Sequence, residues 1–401
     1  MLTNRQIFLQ HMGQTSPAPL LLEIVRAEGI CMYGPSGVKY IDLVSGVSVS
    51  NTGHCHPHVV KAVREQTDTY MHLMVYGEMV QSPQVKYAEK LAGMLPPELN
   101  MVFFVTSGSE AVEGALKLAK RYTGRSRIIS FRNAYHGSTH GALSIQGSEY
   151  YRNAFRPLLP DTFQIPFNDV DSLDMIDRKT ACVVIEPVQS EAGVILPENG
   201  FLNAVRERCT ETGSMLVFDE IQTGFGRTGS MFAIDKYGVV PDILVLAKAL
   251  GGGMPLGAFI SSSRIMSVLI SDPPLGHITT FGGHPVCCAA GLASLEVIIN
   301  DNLIGSVREK SELFRRELVH PLIKEVRGDG LLLAVELPDP EFVSQAVSKA
   351  PDYGIVLDYF LFRPSSFRIA PPLIITGEEI IYACSRLKKL LDSITPNQND
   401  G

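Results

Sequence analysis

Three short segments carry residue types that could do chemistry together. The first, Val105-Thr106-Ser107-Gly108-Ser109-Glu110-Ala111, ends an apolar run in a turn of small residues and opens a helical pattern. A helix N-terminus presents unpaired amides and the positive end of the helix dipole, so it suits an anion. Small residues at 107–109 let a phosphate approach the backbone, although Ser107 or Ser109 could equally be a plain helix cap. The second, Leu216-Val217-Phe218-Asp219-Glu220-Ile221-Gln222, is an apolar strand that delivers two carboxylates at its C-terminal end. Open α/β sheets bind ligands at that end, and an acid there fits catalysis, a Mg²⁺ site or a structural role equally. The third, Pro241–Gly253, runs through an apolar stretch to Lys248 and then to three glycines. Such a lysine is either a snorkelling side chain or a buried amine made nucleophilic by a lowered pKa. Asp242 fits a Pro-Asp turn.

Regular elements must hold these segments. Apolar, Val-, Ile- and Phe-rich runs at Met101–Val105, Arg127–Phe131, Cys182–Ile185, Met215–Phe218, Ile243–Leu246 and Gly257–Ile260 read as strands covered on both faces. Helical patterns at Glu110–Arg121 and Phe201–Thr212 lie between them. The alternation implies an α/β domain with a largely parallel sheet. At the start, Ile24–Val47 reads as a hairpin around Tyr33-Gly34-Pro35-Ser36-Gly37. After His284 the pattern predicts one long helical segment to about Leu318, a strand Leu331–Leu337, a helix Glu341–Lys349, a strand Ile355–Asp358 and a helix Thr376–Ser393. We expect a large domain at 51–285 and a smaller α+β domain made of 1–50 with 286–401, ending in a frayed tail from Pro396 to Gly401.

Composition narrows the function. With 401 residues, 45% of them hydrophobic and 19% charged, the chain is an ordinary globular protein large enough for two domains. Lys plus Arg number 35 against 42 Asp plus Glu, and the formal charge of -7 argues against nucleic acid or anionic membrane as partner. The first twenty residues have no signal-peptide pattern, and no apolar run reaches the ~18 residues of a membrane helix. The seven cysteines are odd in number and show no CxxC spacing, so neither a disulfide framework nor a zinc site is expected, and no metal at all. Reduced thiols point to the cytoplasm.

Taken together, the segments supply a phosphate cradle, a carboxylate and a lysine, the three groups that pyridoxal 5'-phosphate (PLP) needs for its phosphate, its pyridine nitrogen and its aldehyde. No GxxxxGK[ST] occurs; the GxGxxG letters at Gly224–Gly229 are separated from their strand by an acidic pair, which a dinucleotide turn would not be.

These residues resemble class III aminotransferases of the fold-type I PLP enzymes, the group of acetylornithine, ornithine and 4-aminobutyrate aminotransferases. The resemblance includes Gly53-His54-Cys55-His56-Pro57, the run Asp219–Gly229, the lysine segment and Arg327-Gly328-Asp329-Gly330-Leu331. It implies that Lys248 forms a Schiff base with PLP, Asp219 pairs with the pyridine nitrogen and Gln222 lies near the ring hydroxyl. Ile221 and Tyr135 would flank the ring, and Ser107, Gly108 and Ser109 would hold the phosphate. Thr280 resembles a threonine that reaches the phosphate of a partner subunit, which implies a homodimer with shared sites. Glu191 and Arg368 resemble a switchable ion pair in which the arginine takes a substrate carboxylate. Ser138 stands where acetylornithine and ornithine aminotransferases carry an arginine for a second carboxylate, which favours amine or ω-amino donors. His136 and His140 are read as structural. The expected reaction is ping-pong transfer of an amino group from such a donor to 2-oxoglutarate or pyruvate; an aminomutase or racemase of the same family is the alternative.

Overall fold

The computed structural model describes residues 2–395, so Pro396–Gly401 lie outside the described residues. Near the start, β1 (Arg26–Glu28), β2 (Cys31–Tyr33) and β3 (Lys39–Asp42) form an antiparallel meander. The predicted hairpin turn sits between β2 and β3, where Gly34 N donates to Val38 O at 2.9 Å and Gly37 takes φ +79°.

Seven strands then build the main sheet: β4 (Met101–Val105), β5 (Arg127–Phe131), β6 (Thr162–Ile165), β7 (Thr180–Ile185), β8 (Met215–Asp219), β9 (Ile243–Leu246) and β10 (Gly257–Ser261). Their spatial order is β4-β10-β9-β8-β7-β5-β6, and only β10 runs against the rest. Strands β7 to β10 are buried at every position, as their unbroken apolar sequences require. The helix Gly108–Thr123 covers one face through Val112, Ala115, Leu116 and Ala119, and it ends at left-handed Gly124. Its approach to the sheet is close. A Cβ on Gly114 would lie 2.3 Å from the Phe259 ring. Each large apolar side chain buried in this layer contributes about 1.5–3 kcal/mol.

The C-terminal region adds β11 (Glu325–Asp329), β12 (Leu332–Glu336), β13 (Ile355–Val356), β14 (Asp358–Tyr359) and β15 (Ser366–Ile369). One sheet has the order β11-β12-β15-β14, while β13 pairs in parallel with β3 and joins the two ends of the chain. Here the structure corrects the sequence reading twice. The helical segment expected from His284 to Leu318 is two helices, Pro285–Asn300 and Val307–Glu317, bent by 55°. Asn302, left-handed at φ +48°, breaks it, because asparagine tolerates that conformation where a helix interior does not. The expected strand Ile355–Asp358 divides at Leu357, and its halves join different sheets. Strands β6, β11 and β15 are additions that apolar runs did not reveal. Among the described residues no single helix is long and apolar enough to cross a membrane.

One buried cation ties these parts together. Arg227, in the glycine-rich stretch after β8, is fully buried and donates to Leu331 O at 2.9 Å, Pro371 O at 2.6 Å, Ser45 Oγ at 3.3 Å and Asn51 Oδ1. Burial lowers its pKa to about 9. Gly330, at φ +53°, is glycine because a Cβ there would lie 2.5 Å from Arg227 O. Arg227→Ala leaves several buried acceptors unpaired and is expected to cost about 3 kcal/mol or more, read as a lower urea midpoint; a loss under about 1 kcal/mol would show that the guanidinium is dispensable.

Candidate active site

The parallel strands of the main sheet end at one edge, and three central ones hand a chemical group to the same cavity of about 520 Å³. Strand β7 runs into Glu186, β8 ends at Asp219 and β9 leads through Ala247 to Lys248. Register keeps them level: Ile185 pairs with Phe218, and Asp219 with Val245.

Strand alternation, continued one residue past β8, separates the adjacent carboxylates of Asp219 and Glu220. Asp219 lines the cavity. Glu220 points away and accepts from Thr223 Oγ1 at 3.1 Å and from the amides of Ala233 at 2.5 Å and Ile234 at 3.0 Å. It therefore pins the helix Ala233–Tyr237, and burial, partly offset by those bonds, pushes its pKa up to about 7.

Asp219 Oδ1 accepts the Ile221 amide at 3.1 Å, and Oδ2 lies 2.7 Å from His136 Nδ1. His136 is buried, and its Nε2 has no partner among the described residues. The sequence reading of His136 as merely structural is thus incomplete: it braces the carboxylate of the cavity. Its signal was its place between Tyr135 and Gly137, both in the cavity wall. His140 is exposed and does not line the cavity.

Lys248 adopts φ +51°, an uncommon conformation for a non-glycine residue, at the point where β9 gives way to a short 3-10 turn. Its ammonium donates to Gln222 Oε1, and Gln222 Nε2 donates in turn to Ser48 Oγ at 3.3 Å. Desolvation lowers the lysine pKa to about 8, against the smaller opposing pull of Glu191, Asp219 and Glu186. The snorkelling alternative does not hold, because the amine lines the cavity.

At the opposite wall, Ser107 Oγ caps the helix Gly108–Thr123 by accepting the Glu110 amide at 3.2 Å. The cap leaves room for an anion, since the amides of Gly108 and Ser109 have no acceptor within the helix. Ser109 Oγ accepts the Ser138 amide at 3.3 Å. The missing side chain of Gly108 leaves a cradle: a Cβ there would lie 2.8 Å from Ile221 Cδ1. Tyr135, Ile221 and Gln222 complete this part of the lining. An anion-binding helix end, flat hydrophobic and aromatic walls, a carboxylate and a desolvated amine in one cavity fit PLP.

Two features escaped the sequence reading or extend it. Glu186, to which no role was given, is buried and accepts the amides of Tyr135 at 3.4 Å and Ser190 at 3.2 Å. Burial first, then Asp219 and Glu191, push its carboxyl well above the ordinary range. Glu191 lines the cavity, and its Oε1 lies 2.5 Å from an Arg368 nitrogen, with Arg368 buried behind it. Thr280 is exposed and outside this cavity.

The family model described as Aminotransferase class-III matches residues 12–391. The acetylornithine aminotransferase of Methanopyrus kandleri is 40% identical over 386 residues, covering 95% of this chain and 96% of that protein. Among solved structures, an ornithine aminotransferase from Toxoplasma gondii with partial occupancy of PLP at its active site superposes with TM-score 0.88 at 32% identity, over 97% of this chain and 93% of that one. An (S)-enantioselective omega-transaminase from Thermomicrobium roseum gives TM-score 0.90 at 28% identity, over 98% and 99%.

A lysine pKa near 8 makes the neutral amine the major form above that pH. In cofactor-free protein, pulsed reductive methylation at Lys248, followed by mass spectrometry, is expected to rise with a midpoint near pH 8. A rate still climbing at about pH 10, as for an ordinary lysine, would contradict the desolvated site.

Proposed function

The chain belongs to the class-III aminotransferases and is a PLP-dependent enzyme of fold type I that acts on amino and 2-oxo compounds; within that family we propose how its own residues share the work. The carrying observation is that Lys248, Asp219 and the open end of the helix Gly108–Thr123 meet in one cavity. Ser107, Gly108 and Ser109 would hold the cofactor phosphate, with Ile221 and Tyr135 on the two faces of the ring and Gln222 at its hydroxyl. When bound, the cofactor supplies a carbonyl that takes up the amino group and a ring that accepts electrons.

Asp219, oriented by His136, would keep the cofactor's ring nitrogen protonated. Lys248 would hold the cofactor covalently, and its Nζ, when free and neutral, would carry a proton from the donor carbon to the cofactor's former carbonyl carbon. A pKa near 8 suits both duties at neutral pH, because the free amine and the ammonium are both accessible. Arg368 binds the carboxylate of the 2-oxo acid, and Glu191 neutralises it when a donor without that group enters.

For the donor we propose an amine or ω-amino compound. Ser138 Oγ lies 3.3 Å from Tyr135 Oη and offers no charge to a second carboxylate. The Methanopyrus relative's name favours a second reading, an acetylornithine-like donor. The named relatives are transaminases, which argues against the aminomutase or racemase alternative.

We also propose a homodimer in which Thr280 reaches the phosphate site of the other copy. Exposed Met71, Val80, Ile270 and Phe281, on the segments around 71–80 and 270–281, support such an interface. The seven unpaired thiols suit a reducing compartment, so we place the protein in the cytoplasm. The pairing of β3 with β13 supports a smaller domain built from 1–50 and 286–401 beside the large one at 51–285.

The test is the visible absorbance of the holoenzyme, titrated with amines, ω-amino acids and N-acetylornithine without any 2-oxo acid. Bleaching by the first two classes supports the proposal, bleaching by N-acetylornithine alone supports the second reading, and no response to any donor overturns amino transfer by this site. Lys248→Ala is expected to lose turnover by about a thousandfold or more; a variant within tenfold of the parent would remove the lysine from the mechanism.

A further inference from the structure

Arg368 carries two carboxylates. It is 1% exposed, with Glu191 Oε1 at 2.5 Å from one guanidinium nitrogen and Asp358 Oδ2 at 3.5 Å from the other. The fold builds this arrangement. Asp358 and Arg368 are directly opposed across the antiparallel pair β14–β15, so their side chains leave the sheet on one face. The Phe360 ring covers the guanidinium, its centroid 4.7 Å from Cζ. The same short segment also holds Glu191, whose Oε2 accepts the Leu361 amide at 3.1 Å and whose carbonyl accepts the Phe362 amide at 3.1 Å.

The two acids differ in kind. Glu191 stands between the cavity and Arg368, on a loop, at hydrogen-bonding distance. Asp358 does not line the cavity, is held by strand pairing, and spends its other oxygen on the Tyr359 amide at 2.9 Å. At 3.5 Å it contributes charge more than a directed bond. A substrate carboxylate that replaces Glu191 at Arg368 still meets Asp358, and a displaced Glu191 remains nearby, so the bound state holds one more negative charge than before. A donor without a carboxylate leaves Glu191 in place and avoids that repulsion.

Resting on the reading of Arg368 as the carboxylate site, we propose that Asp358 is a permanent second counter-charge on Arg368 that weakens the site's hold on substrate carboxylates and so sets its preference between carboxylate-bearing and carboxylate-free substrates. Consistent with crowding of the two acids, burial and then Glu191 push the Asp358 carboxyl above its ordinary range although Arg368 draws it down.

The experiment measures binding of glutarate, an unreactive dicarboxylate, to the holoenzyme by calorimetry, together with KM and kcat for 2-oxoglutarate and pyruvate. Four proteins are compared: the parent, Asp358→Asn, Arg368→Gln and the double variant. Asp358→Asn is expected to tighten glutarate and to lower the KM for the 2-oxo acids by about three- to tenfold, with a much smaller change in kcat. In the double variant the gain disappears, because there is no guanidinium left to unmask. If Arg368→Gln weakens the acids while Asp358→Asn leaves them unchanged or weakens them too, Asp358 is only a positioning residue and the inference falls while the Arg368 reading stands. If Arg368→Gln has no effect on acid binding, the Arg368 reading itself fails and takes the inference with it. An unchanged visible spectrum and melting temperature for Asp358→Asn establish that the variant is folded.

Discussion

The backbone ladder joining β7, β8 and β9 is the constraint on which the cavity depends. Parallel strands in register end together, so Glu186, Asp219 and Lys248, far apart in the chain, arrive at one edge of the sheet. A shift of one residue along β8 would exchange Asp219 for Glu220, because side chains alternate between faces. Burial on both faces opposes such a shift, since every side chain would have to enter a close-packed site shaped for its neighbour. The precision of the site is thus a by-product of hydrophobic packing.

That placement sets the electrostatics. Three carboxylates and an ammonium share a poorly hydrated space, and their environments drive them apart: Lys248 is held down to about 8 by desolvation, while Glu186 is pushed well up. A pocket that kept all three acids charged around one cation would carry an excess of negative charge beside the intended anion. The raised Glu186 relieves part of it, and Arg368 behind Glu191 relieves another. Elsewhere the fold surrounds buried charge with several hydrogen-bond partners. Glu220 is satisfied by two amides and a hydroxyl, and Arg227 by acceptors from the N-terminal segment and the C-terminal region. The glycine-rich run after β8, which carries dinucleotide-like letters, belongs to this second role: its glycines let the chain fold around Arg227.

Much of this was legible in the residues. The strands β4, β5 and β9 lie where their apolar runs placed them, and the small-residue turn, the acidic strand end and the lysine line one cavity. Legibility failed where a segment's pattern did not declare its partner. Strand β15 holds Ser366 and Arg368 in full burial, so no apolar run marks it. Only its place beside Tyr135 pointed to His136, because its partner Asp219 is distant in sequence, and Glu186 was missed because a glutamate before a proline looks like any loop acid. Asn302 broke a helix that periodicity alone would have continued.

The sequence by itself determined the α/β layering, the end of the sheet where ligands bind and the cofactor chemistry, since all of these follow from local runs, strand ends and residue types that need no knowledge of distant partners. Only the tertiary structure decided which of Asp219 and Glu220 faces the cavity, how far Lys248 is desolvated, and that Arg368 answers to Asp358 as well as Glu191. Those outcomes depend on register, burial and charge–charge distance, which arise from contacts between segments far apart in the chain.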